Sequence, residues 1–258
     1  MCAYFKTVTT ERIAYLSMDN GKSNALHMEM LDEFAQLLQQ AADDPAVEAL
    51  IIEGKPGFFS SGLDLITLYD YDAAQMHTFW EKFMALLLQL WSFPKPSVAA
   101  ISGHSPAGGC VLALCCDYRL MAEGDFIIGL NEVPVGIVVP SSIFDLYSFW
   151  IGHARAYRFL LEGKLMKPQE ALEVGLIDEV VPADRLQTAA TRRVKSVMQF
   201  EQHAWRTTKQ NLRKAMASQM EMAKTEAITQ VLEQWWRPST RRIIDTIISN
   251  LTQKRHGN

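Results

Sequence analysis

The chain has 258 residues, 48% of them hydrophobic, and a formal net charge of -4. That length buries a large core, as one large domain or one domain with an appendage. The mild acidity argues against a nucleic-acid partner, which takes a basic surface, and no apolar run approaches the ~18 residues of a membrane span.

Arg12 to Met18 and Val47 to Ile52 are short, β-rich apolar runs bounded by turn residues, and they predict strands. Between them Met28, Leu31, Ala35, Leu38 and Ala42 recur at helical spacing. Asp43, Asp44 and Pro45 end that helix. A second helix is marked by Met76, Phe79, Trp80, Phe83, Leu87 and Trp91, and it stops before Pro94 and Pro96. Ser97 to Ile101 predicts another strand, which leads through SGHSPAGG into a helix-like run from Cys110 to Cys116. Strand-like segments follow around Tyr118 to Met121 and Phe126 to Gly129. From Ser142 onward the pattern is mostly helical, interrupted by VGLIDEVVP, which predicts one last short strand.

Strands alternating with helices predict an α/β core. The tail from about Thr188 reads as a separate helical layer, which sets an expected core at residues 1–190 and a helical region at 191–258. Lys and Arg thicken after Thr191, but acids are interleaved, so this is read as a solvated helix face. Trp235 and Trp236 in the tail suit either core or subunit contact.

Two segments echo each other. ALIIEGKPGFFSSGLDL and SVAAISGHSPAGGCVLAL each run from an apolar strand through a glycine-containing loop into an apolar, helix-like start. Both loops follow the carboxyl end of a strand, where α/β proteins tend to place ligand sites.

Four cysteines, Cys2, Cys110, Cys115 and Cys116, form no CxxC pair and no Cys/His cluster at zinc spacing, so no metal is expected. Cys115 and Cys116 are adjacent in an apolar stretch and read as buried free thiols, which suits a reducing compartment. MCAYFKTVTT carries neither a signal-peptide core nor an Arg-rich presequence, and KRHGN is not a peroxisomal tripeptide. A cytoplasmic protein is expected.

Three segments carry candidate chemistry. In SPAGGC, Ser105 to Cys110, adjacent glycines at a helix start leave backbone N–H groups unshielded, and the helix terminus adds partial positive charge. Such a site suits an oxyanion; the alternative is a tight packing turn. In FFSSGLDL, Phe58 to Leu65, Gly62 permits a sharp turn, so that the Leu63 N–H can point into the same site as that of Gly108. Asp64 there suits either a catalytic role or the cap of the next helix. In IIGLNEVPVGIVVP, Ile127 to Pro140, Glu132 is the only acid, and burial would raise its pKa toward the range of a general base. The alternative is a solvated loop carboxylate. His104 has no evident carboxylate partner in sequence and reads as a structural or surface histidine.

Other motifs fail. Gly103 and Gly108 have P-loop spacing, but Gly109 and Cys110 stand where Lys and Ser/Thr are required. No GxGxxG occurs. GHSPA approximates a nucleophile elbow, yet Pro106 follows Ser105 and has no N–H to donate to an oxyanion.

Taken in order, these segments resemble the crotonase, or enoyl-CoA hydratase/isomerase, family over nearly the whole chain. The specific part is PKPSVAAISGHSPAGGCVLALCCDYRLMA followed by IGLNEVPVGI. PAGGC, CDYR and GLNE together look most like the mitochondrial-type Δ3,Δ2-enoyl-CoA isomerases within it. The resemblance implies a crotonase-like α/β spiral of ββα units with a C-terminal helical trimerisation region, and a homotrimer or dimer of trimers. It implies an acyl-CoA thioester substrate, with coenzyme A as part of that substrate and no separate cofactor. It also implies an oxyanion hole from the backbone N–H groups of Leu63 and Gly108. Ser60, Ser61, Gly62 and Asp64 would line the thioester channel, Asn131 would contact substrate, and Glu132 would be the catalytic acid.

One departure is informative. Family hydratases carry two glutamates, and the place of the first is taken here by Val111, where GGGCEL becomes AGGCVL. Adding water needs a carboxylate pair; moving a double bond needs one base. The expected reaction is therefore conversion of a 3-enoyl thioester to the 2-trans isomer. The alternatives are hydration or another crotonase-type reaction and, from a different class, a non-catalytic CoA- or RNA-binding module. The net charge of -4 weighs against RNA, and the presence of Glu132 weighs against a pseudoenzyme.

Overall fold

The computed structural model describes residues 3–256, with side chains described through residue 253, so Cys2 lies outside the described part. The chain opens with a hairpin, β1 (Phe5–Thr10) and β2 (Ile13–Met18), whose register runs from Phe5 opposite Met18 to Thr10 opposite Ile13. Its two turn residues, Glu11 and Arg12, both take positive φ (50° and 65°), as a type I′ hairpin turn requires. Helix α1 (Met28–Asp43) follows and closes at Asp44, as its acidic, proline-flanked end predicts.

Three strand–strand–helix units come next. The first is β3 (Ala49–Glu53), β4 (Gly57–Phe58) and the short α2 (Leu65–Tyr69), extended by α3 (Ala73–Trp91). The second is β5 (Ser97–Ile101), β6 (Gly103–Pro106) and α4 (Gly108–Cys115). The third is β7 (Tyr118–Ala122), β8 (Ile128–Gly129) and α5 (Ser141–Ile151). In each unit the first strand joins a six-stranded sheet, ordered β1-β2-β3-β5-β7-β10, and the second joins a small sheet, ordered β4-β6-β8-β9. Both sets of three run parallel and adjacent. This is the expected spiral of ββα units. The remaining strands, β9 (Leu165–Met166) and β10 (Glu179–Val181), are separated by α7 (Pro168–Glu173) and preceded by α6 (His153–Glu162).

Period-two alternation assigns the two faces of the large sheet. Leu50, Ile52, Ala99, Ile101 and Met121 face the main core, with α1, α3 and α4. Ile51, Val98, Ala100, Leu120 and Ala122 face the other way, against α8 (Leu186–Met198). The expected boundary at 190/191 falls inside α8, and Ala190 and Val194 belong to one cluster on the sheet. Beyond α8, the tail is helical, with α9 (Gln202–Trp235) and α10 (Pro238–His256). Trp235 is buried and Trp236 is 40% exposed, so the pair divides between core and surface. No helix among the described residues is long and apolar enough to cross a membrane.

Candidate active site

β4, β6 and β8 are neighbours in the small sheet, so the segments leaving their carboxyl ends are delivered side by side. These are residues 59–64, 107–109 and 130–132. The first two touch through their backbones. A Cβ on Gly109 would lie 2.3 Å from the Ser60 carbonyl oxygen, and one on Gly62 would lie 2.9 Å from the Gly108 nitrogen. Gly62 also takes φ +83°, a conformation that a side chain disfavours. Only glycines permit this approach.

Each of these first two loops presents one free backbone donor. The Leu26 N–H donates to Gly62 O (2.8 Å) and the Asp64 N–H donates to Leu26 O (2.9 Å). That bridge turns the intervening Leu63 N–H away from Leu26. The Gly108 N–H lies in the first turn of α4, where no carbonyl of the helix itself can reach it. Among the described residues neither N–H has a hydrogen-bond partner.

Helix α4 is buried along its whole length. Its entry residue, Ala107, takes φ +49°, ψ -125°, a strained conformation for a residue with a Cβ. Its far end is held by buried arginines. Arg213 Nη1 donates to Cys115 O (2.9 Å), while Arg213 Nη2 (3.2 Å) and Arg119 Nη1 (3.1 Å) donate to Cys116 O. Cations at a helix C-terminus complement its dipole, so the opposite end of α4 keeps its positive field for the site. Buried Asp117 balances the charge by pairing with Lys209 (2.7 Å) and Arg213 (2.9 Å) of α9.

Glu132 follows β8. Its Oε2 is shielded from solvent and has no hydrogen-bond partner. Burial raises its pKa to about 7, an effect offset in part by the backbone amides of Glu132 and Asn131. A carboxylate there is deprotonated in a large fraction at neutral pH and is still basic enough to take a proton.

The three loops open onto one cavity of about 440 Å³. Leu63, Gly108, Asn131 and Glu132 line it, as do Lys22, Ser23, Ser61 and Asp64. Its apolar walls come from Trp80 and Phe83 of α3, Ile143 of α5, Val135 and the run from Ile137 to Pro140, and Ile247 and Leu251 of α10. A larger groove of about 730 Å³ lies between the hairpin and α8. None of the three loops reaches it, and its Glu11 and Glu53 are engaged by Lys195 and Ser17.

The sequence-derived residues divide by position. Ser61 lines the cavity and its Oγ donates to Ser23 Oγ (3.0 Å). Asp64 lines it too, and also caps α2 by accepting from the Thr67 N–H (3.2 Å) and Thr67 Oγ1 (2.9 Å). Ser60 lies beneath the site: its Oγ donates to Asn24 O (2.7 Å) and accepts from the Gly62 N–H (3.1 Å), which shapes the turn. Gly62 acts through that turn, and neither Ser60 nor Gly62 is part of the cavity wall. Val111 does line the cavity, as an apolar surface close to the donors. His104 packs between the rings of Phe58 (5.1 Å) and Phe126 (5.3 Å) and is not part of the cavity wall, so of the structural and surface readings the structural one holds. Cys110, Cys115 and Cys116 are free and buried. Sequence reasoning missed Lys22 and Ser23 after β2, and Ile247 and Leu251 on α10; no motif marks either pair.

A family model described as enoyl-CoA hydratase/isomerase matches residues 9–242. The chain belongs to the enoyl-CoA hydratase/isomerase family. Within that family it is 36% identical to the mouse (Mus musculus) enoyl-CoA delta isomerase 1, mitochondrial, over 94% of this chain and 85% of that protein. It is 29% identical to a probable enoyl-CoA hydratase of Mycobacterium bovis, over 84% of each chain. The crystal structure of human mitochondrial Δ3-Δ2-enoyl-CoA isomerase superposes with a TM-score of 0.93 at 31% identity, covering 97% of this chain and 99% of that one. A Bacillus halodurans enoyl-CoA hydratase superposes with a TM-score of 0.87 at 23% identity, covering 95% of this chain and all of that one, which speaks for the shared fold.

Proposed function

We propose that this family member is a Δ3,Δ2-enoyl-CoA isomerase that works with a single carboxylate. The observation that carries the reading is the pairing of Glu132, whose shielded Oε2 has no hydrogen-bond partner, with an apolar Val111, in a cavity holding two free backbone donors; the other carboxylate of the lining, Asp64, is engaged in capping α2. Hydration would call for a second carboxylate to orient and deprotonate water. In this site Val111 occupies that place.

The 3-enoyl thioester enters with its carbonyl oxygen between the Leu63 and Gly108 N–H groups. Glu132 removes a proton from C2, and the electron pair passes onto the carbonyl oxygen to give a dienolate. Each donor aimed at the developing charge contributes on the order of 10²–10³ in rate, and the α4 terminus adds its field. Protonated Glu132 then returns the proton to C4, and the double bond settles between C2 and C3. Atoms balance without any added reagent. Water is kept from the dienolate by the walls from α3, α5 and α10.

The substrate is an acyl-CoA thioester, with no separate cofactor in the reaction. We assign the protein to the cytoplasm, with its thiols reduced. We also read it as a homotrimer or a dimer of trimers, which would give exposed Phe149, Tyr157, Leu161, Phe200 and Leu212 a means of cover.

The test is a paired assay of the purified protein with 3-enoyl-CoA and 2-enoyl-CoA. Isomerisation of the first without hydration of the second is expected. Rapid hydration of the second, with no isomerisation of the first, would make the hydratase reading correct.

A further inference from the structure

We infer that Thr240, on the C-terminal helix α10, is a positioning residue for Glu132: its hydroxyl fixes the acid-bearing loop through the Gly136 carbonyl. The inference rests on Glu132 being the base.

After β8 the chain coils back on itself. The Val135 and Ile137 N–H groups both donate to Glu132 O (3.1 and 3.0 Å), and the Gly136 N–H donates to Val133 O (3.0 Å). Gly136, at φ +80°, presents its carbonyl to the tail. There it accepts from Thr240 Oγ1 (3.1 Å) and Gln234 Nε2 (3.4 Å), and Gln234 Nε2 also donates to Thr240 Oγ1 (2.8 Å). Thr240 is 1% exposed. Its hydroxyl is thus a buried relay that accepts from α9 and donates to the loop.

The fit around this relay is close. A Cβ on Gly136 would lie 3.3 Å from Ile243 Cδ1 and 3.5 Å from Thr240 Oγ1. On the other flank, a Cβ on Gly163 would lie 2.3 Å from Pro134 Cγ, so the loop is gripped between the end of α6 and α10. Neither Thr240, Gln234 nor Gly136 lines the cavity. Their influence on the chemistry therefore passes through the loop.

The surroundings of Glu132 make the effect measurable. Cys110 on α4 and Tyr147 on α5 lie within electrostatic reach of it, and burial pushes both upward so that they stay neutral. Lys22 and Asp64 line the same cavity, and no salt bridge to Glu132 exists among the described residues. Partial desolvation at the cavity wall is the main cause of its raised pKa. A loosened loop admits water and lets that pKa fall toward the ordinary carboxylate value.

The experiment compares Thr240→Val, Thr240→Ser and Thr246→Val as purified full-length proteins. Thr246 is an exposed α10 threonine bonded within its own helix, and T246V is the control. For T240V, kcat for 3-enoyl-CoA isomerisation should fall about tenfold or more, because small misplacements of a reacting group are costly. KM should change little, and the acid limb of the pH–rate profile should move down from about 7. T240S should restore rate and limb, and T246V should match the wild type. Should T240V fail to fold, Gln234→Met, which removes the other donor, is read by the same criteria. A T240V protein with wild-type kcat and acid limb overturns the inference, as does a T240S protein as impaired as T240V. Glu132→Gln, assayed alongside, separates the two claims. An active E132Q sinks Glu132 as the base; an inactive E132Q beside an unaffected T240V sinks only the role of Thr240.

Discussion

In the first donor-bearing unit, β4 runs into a sharp turn at Gly62 and Leu63, and the five-residue α2 that follows is capped at its start by one side chain, Asp64. In the second, β6 passes through a strained Ala107 into α4, which has no side-chain cap and is buried throughout. The two segments echo each other in sequence, yet they are secured by different means. The first donor is held by local bonds to Leu26 and Thr67. The second is held from its far end, by Arg213 and Arg119 on the α4 carbonyls. The difference follows from what each glycine loop precedes. DLITLY is a short, half-exposed run, whereas CVLALCC is apolar on every side and goes into the core. One pattern therefore yields a donor that carries a helix field and is secured from the far end of its helix, and a donor secured by its own turn, both on the cavity wall.

The sharpest way to break this comparison is to drive the two units apart. Gly109→Ala would place a Cβ 2.3 Å from the Ser60 carbonyl, and such overpacking costs roughly 1–3 kcal/mol. Misaligning a donor should also lower kcat/KM by about 10²-fold or more. Denaturant unfolding and thioester turnover on the same preparation would check both. A G109A protein with native rate would mean that the contact between the loops does not set the donor geometry.

A smaller effect is expected from the first unit. Asp64→Ala removes the α2 cap at a cost of about 1 kcal/mol, and it should leave α4 in place. The turnover loss should be well below that of G109A, with any change concentrated in KM as the wall at Leu65 and Ile66 loosens. If D64A lowers kcat as severely as G109A, the proposed difference in how the two donors are secured is wrong.

Where side-chain periodicity reports burial, the fold was legible. The repeating apolar face of α1 and the continuous apolar runs of β3 and β5 predict their elements to within a few residues. The small sheet was not legible in full. β4 is Gly57 and Phe58 alone, and β6 is a glycine-containing segment whose strand character comes from pairing with β4 and β8. β1 buries only Phe5 and shows no alternation, and its turn, Glu11-Arg12, lacks the Asn-Gly signature of its backbone conformation. At the site, GLNE and the two glycine loops carry local signals. The contributions of α10 do not, because Ile247, Leu251 and Thr240 reach the site only through tertiary packing.

The most direct measurement is the pH dependence of 3-enoyl-CoA isomerisation by the wild type and Glu132→Gln, with thioester binding followed in parallel. A base with its pKa raised to about 7 is active when deprotonated, so the wild-type rate should fall about tenfold per pH unit below that point. E132Q should bind the thioester as before and lose at least about 10²-fold in turnover at every pH. An E132Q enzyme with near-native turnover, or a wild-type acid limb at the ordinary carboxylate value, would contradict a single desolvated glutamate as the proton carrier.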